Sequence, residues 1–161
     1  MESARVATAA DLDFVAELWE RAVAELDGQR GGSLLAGSLY RSDPKGALRF
    51  AFDDPDRIVV IGRIEDVAVG FALAVCDRQR REPVGVIEIV YVDPQARQVG
   101  VAESMVKVVM KWSDERGCVG VDAPALPGSR SAKAFFEDNG FIARLLIMHR
   151  PVNRKNGDDD G

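Results

Sequence analysis

The chain has 161 residues, 47% hydrophobic and 29% charged, which suits one domain around a single sizeable core and leaves too little for two. Lys and Arg number 21 against 26 Asp and Glu, a net charge of −5, and this excludes a protein that grips nucleic acid through bulk positive charge. With one histidine, His149, and two cysteines, Cys76 and Cys118, zinc clusters, CxxC redox pairs and disulfide scaffolds are excluded as organising devices. Chemistry must then come from carboxylates, tyrosines, backbone amides or a borrowed cofactor, and no metal is expected. Residues 1–10 lack a basic start with an apolar run behind it, and no apolar stretch nears the ~18 residues of a membrane span. The expectation is a cytoplasmic protein without membrane contact, in which Cys76 and Cys118, both in apolar strand-like contexts, stay reduced as inert core thiols.

In chain order, Arg5 to Thr8 reads as a short strand. Thr8 to Asp11 is a capping-box start for a helix whose apolar positions Leu12, Val15, Leu18, Trp19, Ala22, Val23 and Leu26 recur at three and four. Gly28 to Gly32 breaks it. A second helical stretch carries Leu34, Leu35, Leu39 and Tyr40, and Asp43-Pro44 opens a third that Asp54-Pro55 ends. The pattern then turns to strands: residues 57–64, a tight Glu65-Asp66 turn, and 67–76 form an antiparallel hairpin, with a third strand at 84–92. A helix follows from about Gly100 to Arg116, stopped by Gly117, with Ala102, Met105, Val106, Val109 and Trp112 on one face. Cys118 to Ala123 reads as a short strand, Ser129 to Asn139 as a helix, and Phe141 to Val152 as a final strand region containing His149. This predicts one α/β (α+β) domain over residues 1–152, with helices covering a mixed sheet, and a solvated acidic tail at 153–161.

The most informative segment runs from Val84 to Ala102. A strand ends at Val92, Pro94 fixes a turn, and a long amphipathic helix begins near Gly100 with no Ser, Thr, Asp or Asn where an N-cap would satisfy its first amides. Gly100 leaves room for a group to approach the backbone, Ala102 keeps the first turn low, and Arg97 and Gln98 add a cation and a donor at the positive end of the helix. Those features suit a pyrophosphate; an ordinary strand-turn-helix with water on its amides is the competing reading. No GxxxxGK[ST] and no GxGxxG after a strand is present, so nucleotide hydrolysis and Rossmann-type dinucleotide binding lack their cradles.

Arg97-Gln98-Val99-Gly100-Val101-Ala102 after Val-Asp-Pro resembles the Arg/Gln-x-x-Gly-x-Gly/Ala acyl-CoA signature of the GNAT superfamily of N-acyltransferases. Ser129 to Phe141, with Ala132, Phe135, Phe136 and Gly140-Phe141, resembles that family's second signature, a helix of Ala-x-x-Phe-Tyr type ending in Gly-Phe. The resemblance implies a mixed, mostly antiparallel sheet splayed between its fourth and fifth strands, with helices on both faces. It also implies acetyl-CoA as cosubstrate, its pantetheine arm along Val90, Tyr91 and Val92, and its pyrophosphate on the amides from Gln98 through Val99, Gly100 and Val101 to Ala102. Ser129 stands where the family often has an Asn that bonds the arm, and Phe136 where it commonly has a Tyr that protonates the leaving thiolate.

Acyl transfer needs a neutral amine, and deprotonating a lysine-like ammonium at pH 7 costs about 4–5 kcal/mol, so a base matters. Glu88 interrupts the apolar run Val86 to Val92, falls where many family members place a base glutamate, and is the expected base; a solvent-facing strand residue is the alternative. Because a phenyl ring at Phe136 cannot donate, either water protonates the thiolate, or Tyr91 or Tyr40 does so, or catalysis is slow or absent; Tyr91, on the cofactor strand, is the nearer candidate, against a packing role. Asp122 either caps the turn after the fifth strand or binds an amine, and the cluster of Arg78, Arg80 and Arg81 reads as a solvated turn. The acceptor, a small primary amine or peptide, is expected between residues 26–40 and the terminal strand. Little chain follows Phe141, which makes a homodimer that completes this side an expectation. The rival functions are a non-catalytic acyl-CoA-binding module and a binding domain that has lost the cofactor.

Overall fold

The structure, a computed structural model, describes residues 1–39 and 43–152; Tyr40 and the acidic tail lie outside the described residues. Five strands, β1 (Glu2–Val6), β2 (Arg57–Ile64), β3 (Val67–Asp77), β4 (Val84–Val92) and β5 (Val121–Asp122), form one sheet in sequence order. The first four pair antiparallel and β4 pairs parallel with β5, as βα connections require. The Glu65-Asp66 turn joins β2 to β3, with Glu65 in the left-handed region at φ 51.

Three helices precede β2: α1 (Leu12–Asp27), α2 (Gly32–Leu39) and α3 (Pro44–Asp53). The capping box appears as read: Asp11 takes the Thr8 backbone N–H at 2.8 Å and closes a single 3₁₀ turn ahead of α1. Asp43 caps α3 through the Gly46 N–H at 3.0 Å, with Pro44 at the first turn. The apolar stripe of α1, Val15, Leu18, Trp19 and Ala22, packs with Leu48 of α3 on Val59, Ile61, Phe71, Leu73, Ile89 and Tyr91, one face of the sheet. The opposite face, Ile58, Val60, Ala72, Ala74, Ile87 and Val92, is covered by Val101, Met105, Val106 and Val109 of α4 (Val101–Glu115). Gly62 lets α4 lie close, since a Cβ there would sit 2.5 Å from a Val101 methyl. The last helix, α5 (Arg130–Asp138), lays Phe135 and Phe136 against the α4 side.

Two expectations at the end of the chain are corrected. The fifth strand shrinks from Cys118–Ala123 to Val121–Asp122, because β5 meets β4 only at Gly85↔Val121 and Val86↔Asp122. The segment 141–152 is not a strand: it carries no ladder, and Ile142, Leu145, Leu146, Ile147 and Met148 are exposed. A strand needs a partner edge for its amides, and β5 offers two residues of it. His149 accordingly lies exposed in irregular chain.

Candidate active site

Past Val86, β4 is paired on its β3 side only, and its other edge opens into a cleft of 560 Å³. The end of α1, the free edge of β4, the loop into α4, residues 124–126 and the inner face of α5 line it. A cavity of this size suits a cofactor-sized ligand, and the strand amides it exposes are donors in need of acceptors.

β4 carries a bulge that decides which way its side chains face. Leu73 pairs with Ile89 and Ala74 with Ile87, so Glu88 has no register partner. By strict alternation Ile87, Ile89 and Tyr91 would share a face. The extra residue instead sends Ile87 to the α4 core and Ile89 and Tyr91 to the α1 core. Glu88 is left half-buried in the cleft wall, and Arg57 holds it, Nη1 to Oε1 at 3.0 Å; Arg57 Nε also reaches Asp54 at 3.5 Å. Glu88 is thus a partly exposed, ion-paired carboxylate in the cleft wall.

At the mouth of the cleft, Gly100 stands at φ 85 as the residue before α4, and no side chain caps that helix. Gln98 is also left-handed, at φ 69, so the chain passes twice through the left-handed region just before the helix start. Val101, at the cleft mouth, is buried, 1% exposed, with its side chain packed against the sheet. Val99 is exposed, and Ala102 borders the cleft. This uncapped start fits a pyrophosphate, whereas the Cβ that Gly100 lacks would point at the Glu2 side chain, 3.2 Å away.

Arg97 is turned the other way. Its Nε donates to the Val92 carbonyl at 2.9 Å, its Nη2 to Glu25 of α1 at 2.8 Å, and its guanidinium lies over the Tyr91 ring at 5.4 Å. Glu25 strengthens the guanidinium's hold on its proton. Tyr91, 8% exposed and tilted against Phe71, lines the same cleft, and burial, followed by the charge of Glu25, pushes its phenol above the usual value. A phenol so raised stays protonated and can donate.

Across the cleft, Ser129 precedes α5 with no side-chain bond to the helix, and Phe136 is stacked edge-on between Phe135 at 5.1 Å and Phe141 at 5.2 Å. Val90 and Val92 line the strand side. Asp122 neither caps a turn nor faces the cleft free: Arg80 holds it at 3.0 Å and Arg144 at 3.4 Å. Arg78 grips Asp56 at 2.9 Å and the Arg116 carbonyl at 3.2 Å, so Arg78 and Arg80 tie strands and loops together. Sequence reasoning missed Arg57 and Glu25. Each looked like ordinary polar surface of a strand end or a helix, and only the tertiary pairing with Glu88 and Arg97 singles them out. Among the described residues no group of three or more His, Cys, Asp or Glu could hold a metal ion, and no helix is long and apolar enough to cross a membrane.

Residues 17–141 match the acetyltransferase (GNAT) family model. No curated protein matches the chain. Among solved structures, AAC(6')-Iy in complex with the bisubstrate analog CoA-S-monomethyl-acetylneamine superposes with TM-score 0.74 at 20% identity, over 95% of this chain and 99% of that one. A tetramutant of the BH1408 protein from Bacillus halodurans gives TM-score 0.74 at 16% identity, over 92% and 99%. An aminoglycoside acetyltransferase, meta-AAC0020, from an uncultured soil metagenomic sample, solved with sisomicin, gives 0.70 at 15%, over 96% and 97%. With a sheet splayed after Val86, a bulged fourth strand and an uncapped helix start at Gly100, the chain belongs to the GNAT family and has the fold of acetyl-CoA-dependent N-acetyltransferases.

Proposed function

We propose that this chain transfers an acetyl group from acetyl-CoA to a primary amine of a small molecule or peptide, by direct attack within the cleft between α1, β4 and α5. One observation carries the reading: the free edge of β4, the bulged Glu88, Tyr91 and the uncapped start of α4 all open into the same cleft. The amide donors of Val90 and Val92 on the free edge suit the amide-rich arm of the cosubstrate, the Tyr91 amide facing β3, and those at the start of α4 suit its pyrophosphate. Glu88 takes the proton of the ammonium, directly or through water, and the freed amine nitrogen attacks the thioester carbonyl. As the C–S bond breaks, Tyr91 gives its proton to the leaving thiolate, which departs as the CoA thiol; Phe136 has no hydroxyl to do so. Tyr91 is then reprotonated, directly or through water, by the proton still on the new amide nitrogen.

Carboxylates outnumber cations in the lining, Glu25, Glu88, Glu103 and Asp138 against Arg97, although Arg97 pairs with Glu25, Arg57 with Glu88 and Lys107 with Glu103. The remaining excess of negative charge suits a cationic amine acceptor. Aminoglycosides, the class bound or acted on by two of the structural neighbours, are one such polyamine class and belong in the first screen.

A non-catalytic acyl-CoA-binding module is the second reading, favoured by the phenylalanine at 136 in its closed stack of rings. Thermal stabilisation by acetyl-CoA, followed by thiol release with a panel of amines, separates the two. Stabilisation with amine-dependent release supports transfer; stabilisation without release supports the module.

We also infer a homodimer with a second copy covering the end of the chain. Leu145 and Met148 are each 82% exposed in an apolar segment that has no partner strand among the described residues, beside the short β5 edge. An exposed apolar patch of this kind suits burial against a second copy. Light scattering should give twice 17.5 kDa; a mass of 17.5 kDa at working concentration contradicts the dimer.

A further inference from the structure

The two cysteines, 42 positions apart in sequence, meet in space: Cys76 Sγ lies 3.1 Å from Cys118 Sγ. Cys76 is the penultimate residue of β3 and pairs with Gly85 of β4, which in turn pairs with Val121 of β5. Cys118 stands three residues before Val121, its N–H bonded to the Ser113 carbonyl at 3.0 Å, and the neighbouring Val119 N–H is bonded to Pro83 at 2.9 Å. The thiols therefore reach across β4 at the place where β5 is attached, the apex of the splay that opens the cleft. Between them in sequence lie all of β4, the loop around Gly100 and all of α4.

We propose that Cys76 and Cys118 are a reversible disulfide site, oxidised by a low-molecular-weight disulfide, and that the bond staples the apex of the cleft. Disulfide sulfurs lie ~2.05 Å apart, so the present contact needs an approach of about 1 Å, within reach of a side-chain adjustment. Cys118, part-exposed, meets the oxidant first; Cys76, 4% exposed, is sheltered behind it. The Cys118 thiolate attacks one sulfur of the small disulfide, forming a mixed disulfide and expelling one thiolate. The Cys76 sulfur then attacks Cys118 Sγ and expels the second. The two cysteine protons end on the two released thiols, and the small disulfide is the species reduced. Burial, with the Cys76 hydrogen bond next, pushes the Cys118 thiol up to about 11, against a smaller opposing pull from Arg78, so the exchange is slow at neutral pH. The expectation of two core thiols describes Cys76, which is buried, but not Cys118, which is part-exposed.

The test treats the full chain with millimolar oxidised glutathione at pH 9, alkylates the remaining thiols, and follows intact mass, a peptide map and Tm. The expected product has lost about 2 Da, resists alkylation and yields one linked peptide containing both cysteines. Closing so long a loop should raise its Tm by on the order of 10 °C, and dithiothreitol should reverse the change. Cys118→Ser under the same treatment should form no linkage and gain no Tm. Two alkylated cysteines in the folded chain, under conditions that oxidise the urea-unfolded chain, would overturn the proposal. So would a glutathione adduct on Cys118 that persists unresolved, or an equal Tm gain in Cys118→Ser.

Discussion

Arg57 Nη1 lies 3.0 Å from Glu88 Oε1, so the carboxylate that the β4 bulge leaves in the cleft wall is oriented by the first residue of β2. If Glu88 is the base, Glu88→Gln should lower kcat about 100-fold with little change in acetyl-CoA KM, because base catalysis contributes roughly that much. Arg57→Ala should lower kcat by about 10-fold with little change in acetyl-CoA KM, and Arg57→Lys should recover part of the loss. Unchanged kcat in Glu88→Gln across pH would remove the carboxylate from the chemistry.

Tyr91 is held by Phe71 on one side and Arg97 on the other, contacts that a phenylalanine ring keeps. Tyr91→Phe should therefore fold with nearly native Tm and lose about 10-fold in kcat at constant KM. Since the phenol is pushed above its ordinary value of 10.0, it remains a donor through the neutral and mildly alkaline range, and the alkaline limb it controls lies above pH 10. Full activity in Tyr91→Phe assigns the ring to packing alone.

Gly100 tests the anion cradle. An alanine there would hold a φ of 85 that costs an L-residue about 1–2 kcal/mol, with its Cβ 3.2 Å from the Glu2 side chain. Gly100→Ala should lower Tm by a few degrees and raise the Kd for CoA at least 10-fold, measured by calorimetry. An unaltered Kd would place the pyrophosphate elsewhere.

How much of this was legible beforehand differs from place to place. The loop around Gly100 was readable because it rests on backbone rules: a missing cap, a proline turn and a position that tolerates only glycine well. The stripe of α1 and the hairpin of β2 and β3 were readable from period alone. The bulge at Glu88 was not, since a single inserted residue leaves the composition of a strand unchanged and alters only its register. Nor was the destination of Arg97, which depends on Glu25, 72 positions away. The final strand was over-read: Leu145 to Met148 is apolar enough for one, but ladder formation depends on an available edge, which hydropathy does not encode.

The Arg5–Asp11 pair ties β1 to the start of α1 at 2.7 Å and gives the stability a pH dependence. Arg5 and the Thr8 N–H lower the Asp11 carboxyl from 3.8 to about 2 in the folded chain. A depressed carboxyl stabilises the fold above its unfolded value and loses that contribution as pH falls through the folded one, here between about 4 and 2. With Asp11 12% exposed but Arg5 38% exposed, the contribution is discounted to about 1–2 kcal/mol. Urea titrations should show Asp11→Asn weaker than the parent by that amount at pH 7, with the difference closing toward pH 2; a constant difference would contradict the coupling.

The central claim, acetyl transfer to an amine in the cleft of β4, is tested most directly by thiol release from acetyl-CoA with a panel of primary amines, aminoglycosides included, and mass analysis of each acceptor. The account predicts amine-dependent release, with one acetyl group gained per thiol released, greatly slowed in Glu88→Gln. Absence of release with every amine, together with no thermal stabilisation by acetyl-CoA, would contradict it.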